Sequence, residues 1–209
     1  MVMKGTGKFR PEYIIGIDEV GRGPLAGPTT VAVSAVCTYG KKPPVLTLAD
    51  DSKALSAEMR EYIFEEAIKV RNKTVWFEVS SVSASIIDSI GINKAIYKAM
   101  ESSLKKLEAR GIGPHNSFVY LDGGLQAPEG YHQKTIIKGD AKVKVISLAS
   151  IVAKVTRDKL MDRMGKKYTE YGFGQHKGYG TAGHRKAIRE FGLSDIHRRN
   201  FCSKFERMY

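Results

Sequence analysis

The sequence predicts an α/β domain with a mixed sheet and a helical C-terminal portion. Three observations carry that class. Apolar runs of strand length occupy residues 13–18, 29–36, 74–82 and 117–121, all in the first part of the chain. Stretches with helical spacing fall between and after them, the longest at about 145–167. Clusters of glycine and proline punctuate the junctions. At 209 residues and 42% hydrophobic the chain is large enough to bury one substantial core, and it shows no internal repeat or low-complexity stretch.

Residues 13–18 form an apolar run ending in Asp18, and residues 29–36 are small and β-branched; the Gly/Pro-rich turn between them predicts a hairpin. After a loop at 41–53, Ser56 is placed to cap a helix whose apolar positions Met59, Tyr62, Ile63, Ala67 and Val70 recur at helical spacing. Residues 74–82 alternate as a third strand. Residues 86–109 read as predominantly helical and stop at Gly111, a left-handed C-terminal cap. Residues 117–121 are a short strand ending in Asp122, with Gly123 and Gly124 behind it, so the pattern of apolar run, acid and glycine occurs twice. A last short strand is expected at 135–138, followed by Gly139 and Asp140. On the long helix Ser147, Ala149, Ser150 and Ala153 would allow close approach to the sheet, bringing Asp140 toward the acid-bearing strand ends. A glycine- and histidine-rich loop at 172–183, a short helix at about 184–191 and an irregular basic tail complete the chain. The organisation expected is a core at 1–167 with a basic C-terminal portion at 168–209 packed on it.

Charge is distributed unevenly. Residues 1–133 carry 16 Lys/Arg against 15 Asp/Glu, and residues 134–209 carry 18 against 7, so nearly all of the net +12 lies in the last third. Such a one-sided excess is the footprint of a polyanion binder, because each neutralised phosphate releases condensed counterions. Tyr168, Tyr171, Phe173 and Tyr179 are interleaved with these bases, as in surfaces that stack on sugars or bases. A solvated basic face is the plain alternative. No stretch resembles a signal peptide or membrane span, and Cys37 and Cys202 form neither a disulfide framework nor a ligand cluster; a reducing cytoplasm and no membrane association are expected.

Adjacent acids at the end of an apolar strand have no packing rationale, because burying an ionised carboxylate costs several kcal/mol without a partner. Asp18, Glu19, Asp122 and Asp140 come from three separate segments that each end or follow an apolar run. Clustered carboxylates suit hard cations such as Mg²⁺ or Mn²⁺, and a pair of ions can serve phosphodiester hydrolysis. Side chains alternate along a strand, so Asp18 and Glu19 share a site only if the strand bends or ends there, which Gly21 allows. Arg22 between Gly21 and Gly23 adds a fixed positive charge. Each acid also has an ordinary structural role open to it: turn carboxylates at 18 and 19, an Asp-Gly turn at 122, a cap at 140.

The run Ile17-Asp18-Glu19-Val20-Gly21-Arg22-Gly23-Pro24-Leu25-Ala26-Gly27-Pro28 closely resembles the opening signature of ribonuclease HII, the type 2 ribonuclease H. The resemblance continues in order through Asp51-Ser52-Lys53, Leu121-Asp122-Gly123, Lys138-Gly139-Asp140, residues 149–158, His176-Lys177-Gly178-Tyr179 and Ile196-His197-Arg198-Arg199. It implies an RNase H-like fold and an endonuclease that cuts the RNA strand of RNA/DNA hybrids and 5′ to single ribonucleotides in duplex DNA, leaving 3′-hydroxyl and 5′-phosphate. It implies Asp18, Glu19, Asp122 and Asp140 as metal-binding acids, Gly21, Arg22 and Gly23 as the loop touching the ribose 2′-hydroxyl, and Tyr179 as the ring that packs on the sugar at the junction. Lys53 is implied as a phosphate contact, with a solvated loop lysine as the alternative. Two divalent ions, Mg²⁺ or Mn²⁺, are expected during catalysis. Ser147-Leu148 departs from the alanine-rich pair more usual there. The chain lacks the additional N-terminal domain expected of ribonuclease HIII, which favours type HII, and nothing demands a dimer.

Other residues stay open. Lys154 and Arg157 are spaced to pair with Asp158 on one helix. His176, His184 and His197 lack zinc spacing with either cysteine and are phosphate contacts or structural groups. Lys4-Gly5-Thr6-Gly7-Lys8 has the wrong glycine spacing for a phosphate loop. The competing functions are another nuclease or strand-transfer enzyme of the same fold class, and a basic non-catalytic RNA or hybrid binder.

Overall fold

The computed structural model describes residues 9–49 and 55–206. β1 (Tyr13–Val20) and β2 (Thr29–Cys37) pair antiparallel from Tyr13 opposite Cys37 to Val20 opposite Thr30, the hairpin expected from the Gly/Pro turn. β3 (Val75–Val82) adds antiparallel to β2. β4 (Ser117–Asp122) lies parallel to β1 on its other side, and β5 (His132–Ile136) parallel to β4, giving the order β3-β2-β1-β4-β5. The helices are α1 (Pro44–Leu48), α2 (Ala57–Val70), α3 (Ala84–Ile90), α4 (Ile92–Glu108), α5 (Lys144–Lys167), α6 (Phe173–His176), α7 (Ala182–Phe191) and α8 (Arg199–Glu206).

Strand alternation sends one set of side chains to each face. Ile15, Ile17, Val31, Val33, Val119 and Leu121 pack with Ala99, Met100 and Leu104 of α4. Ile14, Ala32, Val75 and Phe77 pack with Leu148, Val152 and Val155 of α5 and with Ile63 and Ala67 of α2. The α5 face is closely fitted at one point. A Cβ at Gly16 would lie 2.2 Å from the Val145 carbonyl carbon, and the Ser34 hydroxyl, on the residue paired with Gly16, donates to the Val145 carbonyl at 2.6 Å. Any side chain at 16 would push the start of α5 off the sheet. A third apolar cluster, Ala26, Met161, Tyr171, Phe173 and Ala187, joins α5 to the segment that follows it.

Several expected boundaries move. The helical stretch at 86–109 is two helices, broken at Gly91, whose φ of 81° ends α3. β5 sits at His132–Ile136 rather than 135–138, because it follows the β4 register from Phe118 opposite His132, and Lys138 at φ 54° has already turned away. The loop at 41–53 contains α1, and that at 172–183 contains α6. The tail is not irregular. α8 starts where the backbone N–H groups of Arg199 and Asn200 donate to the Asp88 carboxylate at 2.7 and 3.1 Å, a cap supplied from α3. No described helix is long and apolar enough to cross a membrane.

Candidate active site

β1 does not end at its acids; it runs on to Val20. What ends is its neighbour, since the last β1 residue paired to β4 is Ile17, opposite Leu121. Beyond that point the β1 edge is open. Asp18 follows the parity of Ile14 and Gly16 toward α5, and Glu19 that of Ile15 and Ile17 toward α4, yet both reach the cavity at this open edge. The bend or break expected from alternation is therefore unnecessary. Asp122, the last residue of β4, faces the same cavity of about 470 Å³, together with Gly21, Arg22, Gly23, Arg60, Ser150, Lys154 and Tyr179.

The carboxylates crowd one another. Burial pushes Asp18 up to about 7; the Glu19 and Asp122 charges add to that rise, and a hydrogen bond with the Ser150 side chain opposes it. Glu19 is raised as well, first by burial, with Arg22 pulling the other way across an Nε to Oε1 distance of 3.3 Å. Arg22 is held on its far side by the Asn93 Oδ1, 2.7 Å from its Nη1. An Asp122 oxygen accepts the Gly139 N–H at 2.6 Å. That bond ties the turn carrying Asp140 to the cavity wall, but Asp140 itself is buried at 2% exposure and is not among the lining residues.

Oxygen donors that repel one another suit a divalent cation in chemistry. In arrangement they are loose: among the described residues no group of three or more His, Cys, Asp or Glu is gathered closely enough to hold an ion as it stands. The fit therefore rests on the donor set and its shared cavity, and side chains must draw in around an ion.

Beside the acids, Gly21 has φ 88°, and a Cβ there would meet the Arg157 Nε at 2.4 Å and the Pro28 carbonyl at 2.8 Å. Arg157, fully buried, donates to the carbonyls of Pro28, Lys177 and Ala26 at 2.9, 3.0 and 3.3 Å. Arg198, also fully buried, donates to those of Gly27, Arg22 and Gly21 at 2.9, 3.0 and 2.6 Å. Neither is paired with Asp158; Lys154 takes that carboxylate at 3.0 Å while lining the cavity. Burial, then the neighbouring Arg157 charge, pulls Arg198 down to about 10, so it stays cationic at neutral pH.

All three histidines have their ring nitrogens engaged within the protein. His176 Nδ1 accepts the Gly178 N–H at 3.2 Å and its Nε2 donates to the Tyr171 carbonyl at 2.7 Å. His197 Nδ1 accepts the Ser194 N–H at 2.9 Å, so its Nε2–H donates to His184 Nε2 at 3.0 Å, and His184 Nδ1–H donates to the Tyr179 carbonyl at 2.9 Å. Burial keeps both buried rings neutral, down to about 4. Of the four aromatics expected to stack on substrate, Tyr171 and Phe173 are buried against each other at 5.2 Å and Tyr168 packs on their cluster; Tyr179, 44% exposed, faces the cavity. Lys53 lies outside the described residues.

Some of this escaped sequence reasoning. Arg157 is spaced four residues from Ala153 and from Met161, both fully buried, so its place on an apolar helix face was a legible sign of burial. Ser150 was read only as small. Arg60 and Asn93 gave no signal, since their places depend on where α2 and α4 dock.

The model of the family described as Ribonuclease HII matches residues 15–204. Ribonuclease HII of Chloroherpeton thalassium is 39% identical over 191 residues, spanning 91% of this chain and 90% of that protein. A chain of the PCNA:RNase HII complex from Archaeoglobus fulgidus superposes with a TM-score of 0.68 at 26% identity, over 88% of this chain and 93% of that one. Bst-RNase HIII in complex with Mn²⁺ shares the fold, with a TM-score of 0.74 at 18% identity over 93% and 69% of the two chains.

A mixed sheet flanked by helices, with acids from two adjacent strands lining one cavity, is the RNase H-like class of hydrolytic nuclease. This chain belongs to the ribonuclease HII family. It is an endoribonuclease acting on RNA in RNA/DNA hybrids, and its family is dependent on divalent metal.

Proposed function

We propose that the protein cuts both within the RNA strand of hybrids and 5′ to single ribonucleotides in duplex DNA, leaving 3′-hydroxyl and 5′-phosphate ends. The observation that carries this reading is one cavity lined by Asp18, Glu19 and Asp122 together with Gly21, Arg22, Gly23 and Tyr179. Asp18, Glu19, Asp122 and Asp140 bind the metal, Mg²⁺ or Mn²⁺, as a pair of ions. Asp140 is included for its place in the motif order and for the Gly139 to Asp122 hydrogen bond that joins its turn to the cavity. Bound there, the ions supply charge neutralisation and water activation for phosphodiester hydrolysis. Ser150 orients Asp18, and Glu19 with Asn93 holds Arg22 at the cavity mouth.

The 2′-hydroxyl is a donor and an acceptor that DNA lacks, so a tight glycine loop at 21–23 distinguishes ribose without reading bases. Tyr179 offers a planar face that tolerates any sequence. Lys53 contacts a phosphate, and residues 168–209 form the basic substrate-binding portion beside the core of 1–167. The protein works as a cytoplasmic monomer without a membrane, which suits its exposed, unbridged Cys37.

Turnover of all-DNA, all-RNA, hybrid and single-ribonucleotide duplexes, with and without chelator, tests this. Cleavage of the last two in Mg²⁺ or Mn²⁺ alone is expected, with 5′-phosphate ends. A 2′,3′-cyclic phosphate product, or activity that survives chelation, overturns it.

A further inference from the structure

Beneath the sugar-reading elements lies a polar network that none of the roles above uses, and it runs through two consecutive residues. Arg198 donates to the carbonyls of Gly21 and Arg22. His197, its neighbour, donates through His184 to the carbonyl of Tyr179. Both residues are buried, at 3% exposure for His197 and none for Arg198. The two elements also meet directly, since the Leu25 and Ala26 N–H groups donate to the Gly178 carbonyl at 2.9 and 3.3 Å.

We infer that His197 and Arg198, with His184 as relay, are positioning residues that lock the 21–23 loop and Tyr179 into one rigid reader of the ribose. The inference rests on the roles proposed above for that loop and for Tyr179. Its physical basis is directional. Each hydrogen bond in the chain from the Ser194 N–H to the Tyr179 carbonyl has one donor sense, so the tautomers fix both rings, and the fixed rings leave the tyrosine segment one carbonyl position. Arg198 does the same for the loop with a planar fork, which a lysine cannot reproduce. Ribose selection needs its contacts held to within a fraction of an ångström, and a misplacement of about 1 Å can cost on the order of a hundredfold.

The test is a double-mutant cycle in the full chain, read as kcat and KM on a duplex with one ribonucleotide. His184→Phe keeps ring volume but removes both nitrogens; His184→Asn keeps a donor at the Nδ1 position. Expected are a rise in KM of about tenfold for H184F with kcat nearly unchanged, recovery of most of it in H184N, and no further loss when H184F is added to Y179A. A second cycle pairs Arg198→Lys with Arg22→Ala and is expected to be non-additive in the same way. Far-UV circular dichroism and melting separate misfolding from misplacement, and H184N supplies the folded comparator. Full additivity in both cycles, or a wild-type H184F beside an impaired Y179A, overturns the inference alone. A wild-type Y179A overturns the role of the tyrosine beneath it and the histidine arm with it, leaving the Arg198 arm to be judged by its own cycle.

Discussion

The molecule contains two clusters of ionisable groups that answer burial in opposite ways. Under the C-terminal segment, Arg157, Arg198, His184 and His197 are buried at 3% exposure or less, and every one of them is hydrogen-bonded to a protein acceptor or donor. At the open edge of β1, Asp18, Glu19 and Asp122 line one cavity, and Asp18 is pushed up to about 7 by burial first and then by the Glu19 and Asp122 charges. A satisfied polar network rigidifies; a repelling one is waiting for a ligand. Charge alone does not locate function here. The decisive difference is that the acids, though each accepts a hydrogen bond from the protein, still face like charge in their cavity.

The comparison breaks most decisively at the acids. Asp122→Asn or Asp18→Asn is expected to lower kcat by about 10³-fold or more, roughly 4 kcal/mol, while hybrid affinity in gel shifts changes little. Asp18→Asn should also melt a few degrees higher than wild type in chelator at pH 8, since it removes a buried like charge. Wild-type turnover of either variant in Mg²⁺ would mean that the acids had been misassigned.

Arg157→Ala acts on the other cluster and should do the reverse. It strands the carbonyls of Pro28, Lys177 and Ala26, at a cost of about 3–5 kcal/mol in urea unfolding. A loss below about 1 kcal/mol would show that the loop satisfies those carbonyls another way.

Acid sharpens the contrast next. His184 and His197 are pulled from 6.5 down to about 4, so the unfolded chain takes up their protons first. Their contribution is complete above about pH 6.5 and is lost as pH falls toward 4, about 3 kcal/mol for the coupled pair. Denaturant midpoints at pH 7.5 and 4.5 measure it, and a double H184F/H197F variant should lose that part of the slope. The baseline comes from a pair in neither cluster. Lys159 and Glu61, 45% and 52% exposed, meet at 2.8 Å on the surface, and Lys159→Ala should shift stability by no more than about 0.5 kcal/mol.

Much of this was legible from residues alone. Apolar runs located β1 to β4, and Ser56 marked the start of α2, where its hydroxyl accepts the Met59 N–H at 3.1 Å. The strand-then-acid pattern found Asp18, Glu19 and Asp122, because an apolar run that ends in a carboxylate is visible without a fold. What was hidden depended on distant partners. The cap that starts α8 comes from Asp88, 111 residues away, so a short basic segment read as irregular. The sharing of one cavity by neighbouring side chains depended on where β4 stops, a property of the pairing and not of β1. Asp140 was singled out by pattern, yet its burial goes with the 3₁₀ turn at Gly139–Ala141, which no local signal specifies.

The hydrogen bond from Arg198 to Gly21 spans 177 residues of chain. During synthesis the 21–23 loop is therefore made long before the guanidinium that holds it. Until Arg198 has emerged and docked, the carbonyls of Gly21 and Arg22 have no guanidinium to grip, and the loop beside the acids stays unfastened.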